Sequence, residues 1–138
     1  MLPKLSFDSL KGTFRVLVLF APNEDDRGYQ DAADLVRDAA FGLRTRRVRV
    51  LTVFENGSAK LDGEPVRLMG TSAVREQFGG IKGQLRVVLV GLNGTSRVEL
   101  PAAFDPADVF TVIDEAEIKR RRKHLPASSS GSAARLAG

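Results

Sequence analysis

Two apolar runs dominate the pattern along the chain. Phe14 to Ala21 reads FRVLVLFA, and Leu85 to Val90 is apolar except at Arg86. Runs this continuous and rich in β-formers predict strands covered on both faces rather than half-exposed ribbons. A third run, Arg46 to Phe54, alternates instead. Val48, Val50 and Phe54 fall on one face, and Arg47, Arg49 and Val53 on the other, which predicts a second strand. Between the first two strands, Tyr29 to Phe41 carries Ala32, Ala33, Val36, Ala40 and Phe41 at helical spacing, with Gly42 placed to end the helix. Asn23 or Asp25 is the expected cap of this helix, and Glu24, Asp25 and Asp26 suit its positive end.

Weaker signals fill the rest. Asp62-Gly63 predicts a turn, so residues 57–68 read as a small hairpin or irregular insertion. Thr71 to Phe78 predicts a short helix capped by Thr71 or Ser72 and ended by Gly79-Gly80. Asn93-Gly94 predicts a hairpin returning through Ser96 to Leu100, which Pro101 stops. Asp105-Pro106 opens a last helix with Val109, Phe110 and Ile113 inward, running into Lys119–Lys123. Residues 127–138, rich in Ser, Ala and Gly, predict a disordered tail. The order is a β-α-β unit followed by a β-β-α unit. It predicts an α/β sandwich of three layers, about four strands in a mixed sheet with helices on both faces. The domain is expected over residues 1–123 and the tail over 124–138.

Composition narrows the chemistry. The chain has 138 residues and no cysteine, so disulfides, thiolate metal sites and every thiol-dependent reaction are closed to it. The net charge of +4 suggests nucleic acid at first sight. Yet residues 1–118 hold 15 Lys and Arg against all 17 Asp and Glu, a net of −2. The basicity therefore sits in Lys119, Arg120, Arg121, Arg122 and Lys123, with Arg135 beyond them. That run is a candidate anion-binding surface for phosphate, RNA or an acidic membrane. It equally suits the solvated end of a helix, where cations meet the negative dipole. No aromatic interleaves with it, so base stacking finds no support and nucleic acid is not the expected partner. His124 stands without the partners that a metal site or a triad needs. No apolar stretch approaches a membrane span. The N-terminal segment lacks the apolar core of a signal peptide, so a cytoplasmic location is expected; a cleaved leader would mean export.

A second cluster, Arg44, Arg46, Arg47 and Arg49, lies on and before the second strand. If that strand forms the sheet edge, its charges guard against edge-to-edge pairing; anion binding is the alternative. Asn23, Glu24, Asp25, Asp26 and Arg27 form a candidate surface at a strand end, where two carboxylates can act as acid and base or bind Mg²⁺ or Ca²⁺. As plain helix-starting acids they need no ligand. No cofactor and no catalytic residue is otherwise indicated.

The segment Phe78–Gly94 resembles the second half of thioredoxin, where an aromatic-Gly-basic-Gly stretch precedes a buried strand and an Asn-Gly or Asp-Gly hairpin. Laid on that family, Glu24 and Arg27 fall near the redox cysteine positions and Gln84 near the cis-proline. A closer resemblance is to an uncharacterised thioredoxin-like family, the DUDES-type domain of unknown function. That family is found in small bacterial proteins and in vertebrate matrix proteins of the sushi-repeat and equarin groups. The residues that carry this resemblance are Arg15–Pro22, Tyr29-Gln30, Arg46–Val53, Val87–Gly94 and Ile113–Arg122. Leu92 departs where the family favours Lys, and Ala116–Lys119 replaces a Met-Pro-Met-Arg-like segment. The resemblance implies a redox-inactive domain, most simply a protein-interaction or scaffold module that binds a protein or itself.

Overall fold

The computed structural model describes residues 2–79 and 82–123. The described residues fall into two compact units that divide after Pro106. In the first, strands β1 (Lys4–Ser6), β2 (Arg15–Ala21), β3 (Val48–Phe54), β4 (Ala59–Leu61), β5 (Glu64–Met69), β6 (Arg86–Val90) and β7 (Arg97–Leu100) form one sheet. Its order is β1-β5-β4-β3-β2-β6-β7. β2 runs parallel to β3 and antiparallel to β6, as the β-α-β and β-β-α order requires. All seven residues of β2 are buried, which is what its unbroken apolar run predicts for a central strand.

The two faces of β2 point into different layers. Val16, Val18 and Phe20 join the main core with Leu51, Val53 and Val88. That core is closed by Phe7 and Leu10 from a short 3₁₀ turn (Phe7–Ser9) and by Val74 and Phe78 from helix α3 (Thr71–Phe78). The Phe7 and Phe78 rings lie 5.0 Å apart. On the other face Ala21 and Phe54 meet Tyr29 and Ala33 of helix α1 (Arg27–Asp38). Tyr29 and Phe54 pack edge to face at 5.1 Å, a favoured aromatic geometry.

Several expectations need correction. The sheet has seven strands, not four. The 57–68 insertion is the β4–β5 hairpin: Ala59 and Leu61, then Val66 and Leu68, alternate well enough to extend the sheet. Its turn uses the left-handed backbone of Asp62 (φ 52°) and Gly63 (φ 86°), the conformation an Asp-Gly hairpin supplies. With the hairpin in place and β1 pairing in parallel beyond it, β3 is the middle strand. Its arginines therefore guard no edge.

The first helix stops at Asp38. Ala39 leaves helical geometry, and Ala40–Thr45 forms a separate helix α2 that contains Gly42. Phe41 points outward, 73% exposed. Gly70, in the left-handed region, precedes α3, and neither Thr71 nor Ser72 caps it. The Asn93-Gly94 connection is wider than two residues. Asn93 Oδ1 accepts from the Thr95 and Ser96 amides inside a Gly91–Ser96 loop.

The second unit is described through helix α4 (Pro106–Lys123), with Pro106 at its start as predicted. Val109 and Ile113 are buried and Phe110 is partly buried. The expected tail and His124 lie outside the described residues. Among the described residues no helix is long and apolar enough to cross a membrane.

Candidate functional site

The loop after β2 is where a strand-end site would be built. Pro22 breaks the strand, and each side chain that follows is tied to its own neighbourhood. Asn23 Oδ1 accepts from the Asp25 amide at 2.9 Å. Asp26, not Asn23 or Asp25, caps α1: its Oδ2 accepts from the Tyr29 amide at 2.9 Å. Glu24 accepts from Lys60 Nζ on β4 at 2.8 Å, and its carbonyl accepts from Gln30 Nε2 at 3.2 Å. This carboxylate raises the Lys60 pKa, with burial opposing it. Arg27 lies 3.9 Å from Asp31 with both side chains largely exposed. Asp25 is exposed. The five residues do stand together, but as a helix start and a strap to β4. Among the described residues no group of three or more acids or histidines is placed to hold a metal.

The other sequence candidates separate. Gln84 is exposed in the loop before β6. Of the basic run, Arg120 and Arg121 are engaged by Glu117, one turn earlier, at 2.7 and 3.5 Å. That hydrogen bond raises the Arg120 pKa. Lys119 and Arg122 are exposed on the same helix end. Of the second arginine cluster, Arg46 donates to the Gly42 carbonyl at 3.0 Å, closing the end of α2. Its own carbonyl accepts from Arg15 at 3.1 Å. Arg47 takes a left-handed backbone (φ 59°) at the entry to β3. Arg49 lies over the Phe14 ring at 5.1 Å and pairs with Asp62 at 2.5 Å.

The sequence patterns do not predict one further feature. A groove of about 700 Å³ opens between α1 and α2 on one side and β3 with the β4–β5 turn on the other. Its lining includes Val36, Ala40, Val50 and Thr52, with Arg44 and Lys60 among its cations. The signal was present in β3, where Thr52 interrupts valines on an inward face, but one hydroxyl does not predict a concavity.

A single family pattern spans residues 6–122. The chain belongs to the family described as domain of unknown function DUF4174. No curated protein matches it. Among solved structures, a Plasmodium yoelii thioredoxin peroxidase I covers 91% of this DUF4174 chain and 86% of its own length. Its TM-score is 0.57 at 12% identity. A reduced Plasmodium vivax 2-Cys peroxiredoxin covers 92% and 78%, with TM-score 0.53 at 15% identity. Likeness at this identity shows the fold alone. The DUF4174 chain has a thioredoxin-like α/β fold, and its sequence contains no cysteine.

Proposed function

We propose that this DUF4174 domain is a redox-inactive thioredoxin-like scaffold that works by binding a protein or a second copy of itself. The observation that supports this most is the condition of the strand-end loop. Glu24, near one of thioredoxin's redox cysteine positions, is tied to Lys60, and Asp26 beside it caps the helix; Arg27, near the other position, carries no thiol. A kinship with DUDES-type matrix and bacterial domains belongs to this proposal and rests on the resemblance of Arg15–Pro22, Tyr29-Gln30, Arg46–Val53, Val87–Gly94 and Ile113–Arg122.

The test sets the intact chain against a variant carrying Glu24→Ala, Asp25→Ala and Asp26→Ala. Expected are no peroxide or disulfide turnover by either protein and no metal-dependent melting shift specific to the wild type. Turnover by the pure wild-type protein, or a metal-induced shift that the variant loses, overturns the reading. Sedimentation velocity across a concentration series then decides whether the partner is a second copy.

A further inference from the structure

The groove beside α1 and α2 is built differently from the strand-end loop. Its α-helical wall, Ala33, Val36 and Ala40, is the apolar stripe that amphipathic spacing predicts for burial. In the structure these three positions are only half-buried, because the helices do not close onto β3 there. Its floor is Val50 and Thr52 of β3, 8% and 6% exposed. Thr52 lines the groove and brings the one hydroxyl to this stretch of its floor. A hydroxyl on an otherwise apolar floor is a polar group that a ligand oxygen can complement.

The rim is cationic. Arg37, Arg44, Arg49 and Lys60 face a single acid, Asp62. Three of these cations are engaged: Arg37 by Asp34 at 2.5 Å, Arg49 by Asp62 at 2.5 Å, and Lys60 by Glu24 at 2.8 Å. Arg44 has no such partner among the described residues and is exposed at the α2 end of the groove. Val48, at the start of β3, also lines the groove, and it stands about 13 Å from Thr52 at the rise of an extended strand. A volume of about 700 Å³ is in the range of small-molecule sites, which are mostly apolar with a few placed polar groups.

We infer that this groove binds a small amphiphilic carboxylate, with its carboxyl group held by Arg44, its chain on Val36, Ala40 and Val50, and an oxygen at its far end hydrogen-bonded to Thr52. The inference is independent of the strand-end loop. It adds a ligand to the scaffold reading, and its failure leaves that reading standing.

The probes are decanoate, 10-hydroxydecanoate and 1-decanol, each below its aggregation concentration. They are titrated into the full chain by calorimetry and followed by amide NMR shifts. Decanoate is expected to perturb amides of residues 33–52 and to bind about tenfold more tightly than decanol. Arg44→Glu is expected to remove that preference; Arg44 is exposed, so the variant keeps the fold. The 10-hydroxy acid is expected to bind several-fold more tightly than decanoate, a gap that closes in Thr52→Val. Equal affinity for decanoate and decanol, perturbations confined to other surfaces, or an Arg44→Glu variant that binds decanoate as before overturns the site. A 10-hydroxy acid that gains nothing over decanoate overturns the role of Thr52.

Discussion

Asp26 holds the first turn of α1 through one carboxylate oxygen on the Tyr29 amide, so truncating it leaves a helix donor without a protein partner. Asp26→Ala is expected to destabilise the domain by about 1 kcal/mol, and Asp26→Asn by much less, read from urea midpoints at constant slope. Lys60 makes a pH-dependent counterpart. Its pKa is raised by the Glu24 carboxylate, so its share of stability is whole below the unfolded lysine pKa and falls away as pH climbs through the folded value. The pair is partly exposed, which limits it to about 0.2–1 kcal/mol. A Glu24→Gln, Lys60→Met double-mutant cycle is expected to show that coupling at pH 7 and to lose it in the alkaline range. At this scale the chain was half legible. An acid before a helix announces a cap, but which of Asn23, Asp25 and Asp26 serves depends on where Pro22 lets the backbone turn. Nothing local told that Glu24 would reach β4, since Lys60 lies 36 residues on.

At the scale of elements, the β4–β5 hairpin changes the molecule most. Asp62 and Gly63 both adopt left-handed backbone, and Asp62 also accepts from the Val50 amide at 2.8 Å. The turn is thereby pinned to β3 as well as closed on itself. Gly63→Ala is expected to cost about 1 kcal/mol through its positive φ alone, since open space surrounds the position. Amide exchange is expected to quicken in β4 and β5 and not in β6. These strands were hard to read because three- and six-residue segments interrupted by Pro65, Asp62 and Gly63 carry little periodic signal. The long runs of β2 and β6 were legible for the opposite reason: burial on both faces leaves no polar position to blur them. The groove was illegible because the α1 stripe reports apolarity, and apolarity does not say whether a helix seats fully on its sheet.

Across the molecule, stability rests on packing without covalent staples. Reductants are expected to leave the melting temperature unchanged, and peroxide to add mass at Met69, whose thioether is half exposed at the end of β5; intact-mass spectra and a melting curve with and without dithiothreitol check both. Core truncation is where the structure is vulnerable. Leu51 is fully buried on the middle strand, and Leu51→Ala is expected to cost about 2–5 kcal/mol by thermal denaturation. The thioredoxin-like plan was legible as an ordered set of elements. Its width was not, because β1 joins the sheet by pairing residues 4–6 with residues 67–69.

That last ladder has a kinetic consequence. Its three rungs form only after some sixty intervening residues have been drawn into a closed loop, whereas the neighbouring hairpin closes over a two-residue turn. The N-terminal segment is thus the natural last piece to zip during folding and the first to peel. When it peels, β5 becomes a bare flank with unsatisfied amides, and a strand from another chain can dock on it before the native one returns.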